Sequence, residues 1–126
     1  MKEIIKTEKA PAAIGPYSQG IKIGDLVFTS GQLPVDMLSG ELVVDDIRRA
    51  TRASLDNVKA ILEQGGSSLE NVIKVVMFLK NMDDFASVNE EYAKYFPTDA
   101  PARSCVQVAK LPKDAPIEIE AIGAVK

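Results

Sequence analysis

The run Ile73-Lys74-Val75-Val76-Met77-Phe78-Leu79 constrains the fold more than any other stretch of the chain. Its β-branched and aromatic residues favour a strand. Strand side chains alternate, so Ile73, Val75, Met77 and Leu79 point one way while Val76 and Phe78 point the other. Both faces are apolar, and a sheet built around this strand needs cover on both sides.

The flanking sequence supplies one layer of cover. Ile21-Lys22-Ile23 and Leu26-Val27-Phe28-Thr29 flank Gly24-Asp25 and read as a hairpin, with glycine taking the positive φ of its tight turn. After a turn-rich stretch around Pro34, Ser39 and Gly40, Asp45 or Asp46 caps a helix. Its positions Ile47, Ala50, Ser54 or Leu55, Val58 and Ile61 or Leu62 advance by helical steps until Gly65-Gly66 stops it. Ser67-x-x-Glu70 reads as a capping box for one short turn. A second amphipathic helix runs from a cap at Asp83 or Asp84 through Phe85, Val88, Tyr92 and Phe96 to Pro97. Strands at Ser104 to Ala109 and Ile117 to Val125 close the chain around the turn-forming Leu111 to Pro116. The order is ββαβαββ, an α+β sandwich, and 126 residues fit one domain spanning residues 1-126. Two helices can cover one face of a five- or six-strand sheet. No third layer is left for the other face, so its expected cover is a second copy of the chain.

Composition narrows the chemistry. The chain has no histidine, so a Ser-His-Asp or Cys-His couple and His ligation of zinc are excluded. Its one cysteine, Cys105, forms no intrachain disulfide and fits a reducing compartment, with the cytoplasm as the expected address. No signal-peptide run or membrane span is visible. A net charge of -3 gives no basic excess for phosphate backbones, so nucleic acid is not an expected partner. Dinucleotide and P-loop glycine motifs are absent, as are dense carboxylate clusters, and the site is expected to work without metal or cofactor.

Several residues could line a site. In Ala100-Pro101-Ala102-Arg103-Ser104-Cys105, Arg103 and Cys105 share a strand face. In Ile117-Glu118-Ile119-Glu120-Ala121 the two carboxylates share a face, and if the apolar set faces the helices they lie on the side that Arg103 occupies. A guanidinium and a carboxylate would then line one cleft, the guanidinium being shaped to hold a small carboxylate bidentately. The same pair also fits a plain cross-strand ion pair. Cys105 reads equally as a small hydrophobe, Ser30-Gly31 as a turn, and Tyr17 as packing.

Together, Ala12-Ala13-Ile14-Gly15-Pro16-Tyr17-Ser18-Gln19-Gly20, Thr29-Ser30-Gly31-Gln32, Pro101-Ala102-Arg103-Ser104-Cys105-Val106 and Ile117-Glu118-Ile119-Glu120-Ala121 closely resemble the RidA (YjgF, reactive intermediate deaminase) family. The likeness runs along essentially the whole chain. It implies a chorismate-mutase-like fold, a mixed sheet with two helices on one face, and a homotrimer whose sheets form a central barrel with sites between subunits. The implied activity is hydrolysis of 2-imino acids and their enamine tautomers, 2-aminoacrylate and 2-aminocrotonate, to 2-keto acids and ammonia. By position, Arg103 matches the carboxylate-binding arginine and Glu118 the acidic residue that positions water. Tyr17, Ser30, Gly31, Asn89 and Cys105 match the remaining pocket positions. Relatives described as endoribonucleases, translation inhibitors, chaperones or ligand sensors define the competing class, which the acidity and the lack of histidine disfavour for RNA.

Overall fold

A computed structural model describes residues 1–125. In chain order the elements are β1 Glu3–Ile5, β2 Gly20–Ile23, β3 Leu26–Thr29, β4 Val35–Asp36, β5 Glu41–Leu42, α1 Ile47–Gln64, β6 Val72–Leu79, α2 Phe85–Tyr95, β7 Ala102–Gln107 and β8 Ile117–Ala124. Six strands form one mixed sheet in the order β1-β2-β3-β8-β6-β7, and β4 and β5 make a separate small hairpin.

The β2–β3 hairpin forms as its sequence predicts, with Ile23 opposite Leu26 and φ of +55° at Gly24. The Asp46 side chain caps α1 by accepting the Arg48 and Arg49 backbone N–H groups, both at 3.1 Å. Strand β7 runs parallel to β6, a pairing that needs a crossover, which α2 supplies. Strand β8 pairs antiparallel with both β6 and β3, so it lies at the centre of the sheet. Val27, Val75, Met77, Leu79, Ile117 and Ile119 are buried toward the helices, where they meet Leu55, Val58, Ile61 and Leu62 of α1. Each such side chain contributes about 1.5–3 kcal/mol of transfer free energy.

The opposite face is as apolar as the alternation of β6 requires. Registers carry Ile4, Ile21, Phe28 and Ile122 across four strands, and Val76 and Phe78 follow on the same side. Among the described residues no layer covers that row. Ile4 is 61% exposed, and Val106 on β7 is 44% exposed.

Several local expectations need correction. Ile73 does not join the buried set, because the β6–β8 register shifts between Val72 and Lys74; Val72 turns inward and Ile73 is exposed. Ser67 forms no capping box. Its hydroxyl donates instead to the Ala124 carbonyl at 2.7 Å, and the short turn Leu69–Asn71 starts without a side-chain cap. Asp84 occupies the N-cap position of the second helix, one of the two expected places, but its side chain makes no capping hydrogen bond; Asn81 accepts the Asp83 N–H at the preceding 3-10 turn, Met82–Asp84. Strands β1, β4 and β5 are too short to show periodicity and were not expected. β7 begins two residues earlier than its β-branched content suggests, and it does not pair with β8, since β6 lies between them.

Charge ties the two helices together. The Glu91 side chain is only 2% exposed and accepts Arg52 at 2.8 Å, Arg48 at 3.2 Å and Lys94 at 3.2 Å. The cations reach solvent while the carboxylate does not, which avoids the full desolvation cost of a buried pair. The Arg52 hydrogen bond, helped by Lys94 and Arg48 and opposed by burial, holds the Glu91 carboxyl down to about 2 from an ordinary 4.5. A carboxyl depressed on folding stabilises fully above its unfolded value and loses that contribution as pH falls through its folded one. Between pH 4.5 and about 2, thermal melts of wild type are therefore expected to lose stability more steeply than those of Glu91→Gln.

Candidate active site

The candidate residues separate into two clusters. The first lies at the β7 edge beneath α2. Arg103 sits opposite Val75, which puts it on the helix-facing side of the sheet. Its Nη1 donates to Asn89 Oδ1 at 2.6 Å. The guanidinium carbon lies 4.8 Å from the Tyr92 ring centroid and 5.4 Å from that of Phe85, within cation–π range of both. Among the described residues Arg103 has no carboxylate partner. A guanidinium carries five N–H donors, so several remain for a ligand. Cys105, two residues on, packs against the core, and burial pushes its thiol up, with Arg103 opposing. The sulfur is held as a neutral thiol, which suits a hydrogen-bonding wall better than a nucleophile.

The second cluster lines a cavity of about 560 Å³ whose walls include Tyr17, Ser30, Gly31, Lys113 and Glu118. Ile14 adds an apolar wall. Gln19 shapes this side from beneath. It is 3% exposed, accepts the Thr7 N–H at 2.7 Å, and shares its two Nε2 hydrogens among the carbonyls of Thr7, Ala10 and Pro11 at 3.0, 3.2 and 2.8 Å. Ser30 is pinned by its N–H to the Gln19 carbonyl and by its hydroxyl, which donates to the Ser18 carbonyl at 2.5 Å. Gln32 exchanges backbone hydrogen bonds with Ile119 at 2.7 and 3.2 Å. Gly31, between these anchors, lies against the Glu118 carboxylate so closely that a Cβ there would collide with it. A side chain at this position would push the Glu118 carboxylate aside, so the glycine matters here through contact and not through turn geometry.

The expectation that Arg103 and Glu118 share one side of the sheet is overturned. Glu118 pairs with Phe78, one step out of phase with the Val75–Arg103 pair, so it stands on the opposite face. The sequence reading treated the two strands as neighbours, whereas β6 intervenes and its parallel register with β7 sets the phase. Within one chain the structure joins Arg103, Asn89 and Cys105, and separately joins Tyr17, Ser30, Gly31 and Glu118. Phe85 and Tyr92, flanking Arg103, were read only as helix core positions. Their spacing with Asn89 places all three on one helix stripe, a signal available from sequence but unassignable until the crossover directs that stripe toward β7.

A family model described as Endoribonuclease L-PSP matches residues 7–125. The chain belongs to the RidA/YjgF family. Relatives of the family include the RutC family protein PH0854 of Pyrococcus horikoshii, 57% identical over 98% of both chains. The 2-iminobutanoate/2-iminopropanoate deaminase of Salmonella typhimurium is 51% identical, again over 98% of both. Among solved members of the family, TdcF from Escherichia coli with bound serine superposes with a TM-score of 0.91 at 50% identity, covering 97% of this chain and 98% of its own.

Glu118 ionises above the ordinary carboxylate range, because it is partly buried and because Glu120 stands on the same face. Removing that second charge with Glu120→Gln is expected to bring the Glu118 titration down, as read from carboxyl carbon shifts by NMR. Gly31→Ala is expected to displace the Glu118 carboxylate, visible in a crystal structure of the variant.

Proposed function

We propose that the protein hydrolyses small 2-imino acids and their enamine tautomers to 2-keto acids and ammonia, as a homotrimer with sites between subunits. The observation that carries this reading is Arg103, a cation with no carboxylate partner among the described residues, held by Asn89 and by two aromatic rings. A guanidinium so placed is ready for a small carboxylate. The serine in the TdcF structure and the name of the Salmonella relative point to ligands of amino-acid size.

The separation of the clusters fits assembly between copies. Arg103 would come from one subunit, and Tyr17, Ser30, Gly31 and Glu118 from the next. Association would also bury the apolar second face, which a lone chain leaves open.

In the proposed reaction Arg103 holds the substrate carboxylate while Glu118 orients a water toward the imine carbon. The water oxygen bonds to that carbon as one of its protons passes to Glu118, the C=N π pair moves to nitrogen, and Glu118 hands the proton to that nitrogen, giving a neutral carbinolamine. Glu118 then carries the hydroxyl proton to the amine as the C=O bond forms and the C–N bond breaks, and ammonia leaves a 2-keto acid. The elevated Glu118 titration suits a group that accepts and returns a proton. Tyr17 and the Gly31 N–H border the reacting atoms, and the neutral Cys105 thiol closes the Arg103 side. Imines already hydrolyse in water, so orientation plus proton transfer worth about 10²- to 10⁴-fold is a sufficient contribution.

In an assay that generates 2-aminoacrylate with a dehydratase, wild type should accelerate pyruvate release, and Arg103→Ala should lose at least about 10²-fold of that acceleration. Full activity in Arg103→Ala would refute the mechanism. Cleavage of RNA by wild type without imine hydrolysis would favour the endoribonuclease reading that the family model's description carries. A monomeric mass by light scattering would remove the intersubunit site.

A further inference from the structure

We propose that Glu91 is a positioning residue for ligand binding by Arg103, acting through helix α2. This rests on the reading of Arg103 as the group that holds the substrate carboxylate. The helix has two working sides. Phe85, Asn89 and Tyr92, at i, i+4 and i+7, form the stripe that holds Arg103. Glu91 lies about 200° around the helix from Asn89, at roughly 100° per residue, and is turned to α1, where Arg48 and Arg52 reach it. One short backbone therefore carries both the ion cluster and the arginine clamp.

Val88 and Tyr92 seat α2 on the core, but apolar contact leaves its rotation and slide less sharply defined than directional bonds do, and those bonds are few. The helix starts without a side-chain cap at Asp84. Its approach is tied to β7 by the Met82 N–H, which donates to Gln107 Oε1 at 2.7 Å. Its end is tied to α1 by the Tyr95 hydroxyl, which donates to Asp56 Oδ1 at 2.7 Å. Between those ties, two residues from Asn89, Glu91 makes the buried charge-assisted bonds, about twice as strong as neutral ones, while the neighbouring Glu90 pairs with Arg48 at 2.7 Å on the exposed side, where such a pair is worth less. Arg103 occupies an edge strand and is half-buried, so its guanidinium follows the Asn89 carbonyl and the two rings wherever α2 places them. A misplacement of about 1 Å in a positioning group can cost on the order of 10²-fold.

The test measures the Kd for 2-ketobutyrate by calorimetry, and kcat and KM in the imine assay, well below the melting temperature of each variant. Glu91→Gln and Arg52→Gln should each raise Kd and KM about 10-fold and leave kcat within about 2-fold. Tyr95→Phe, which loses an α1–α2 bond away from Asn89, should change neither. In an Asn89→Ala background the effect of Glu91→Gln should shrink, because one of the groups through which α2 positions Arg103 is gone and only the two rings remain. If Glu91→Gln does not fold, Arg52→Gln carries the comparison, since its side chain is 43% exposed. Wild-type Kd and KM in both variants, or full additivity with Asn89→Ala, would overturn the role of Glu91 alone. Failure of wild type to bind 2-ketobutyrate would instead overturn the carboxylate role of Arg103, and this inference with it.

Discussion

The parallel register of β7 on β6, with Arg103 opposite Val75, is the constraint on which the site depends. It places the guanidinium on the helix side of the sheet, where α2 can hold it. The same register, continued through β6 to β8, sends Glu118 to the other side. A residue slipped by one would exchange the two faces, because strand side chains alternate with a period of two. The buried row Val75, Met77 and Leu79 opposes such a slip, since it would drive three apolar side chains out of the core. Core packing thereby fixes the chemistry of the rim.

Much of this was legible in the residues. The Gly24-Asp25 hairpin, the Asp46-capped helix and the two-faced strand all announce themselves through local rules, and local rules hold where a short stretch decides its own conformation. The uncovered apolar face was legible too, because alternation in β6 demands it. Ile73 was misplaced by a bulge, which breaks alternation without a mark in composition. Ser67 looks like a helix cap until β8 brings the Ala124 carbonyl to its hydroxyl from far along the chain. The relation of Arg103 to Glu118 needed the strand order, a property of the whole sheet that neither strand encodes. The motifs pointed to the right family, and to residues that gather in two clusters, not one.

The chemistry asked of those clusters is modest, and the groups present match it. In the proposed reaction Arg103 would contribute charge and shape with Asn89 and the aromatic rings keeping it aimed, and Glu118, raised by burial and by Glu120, would exchange the proton. Cys105, partly buried beside the arginine, stays a neutral thiol. Nothing in the proposed reaction requires the missing histidine, since a carboxyl can carry the proton between water and nitrogen. Dividing the machinery between copies would also tie activity to association, and the same apolar face that drives association would complete the site.

Gln19 has a consequence of another kind. Its side-chain hydrogen bonds all reach backbone atoms, those of Thr7, Ala10 and Pro11, and none reads a side chain. Much of the shape of that leading segment is thus specified from outside it, by one amide acting as a template, beside the Thr7 hydroxyl that accepts the Lys9 N–H and the buried Ala10. The amide is indifferent to the exposed side chains it steers past the cavity, so the path of the segment answers to a glutamine that lies beyond it.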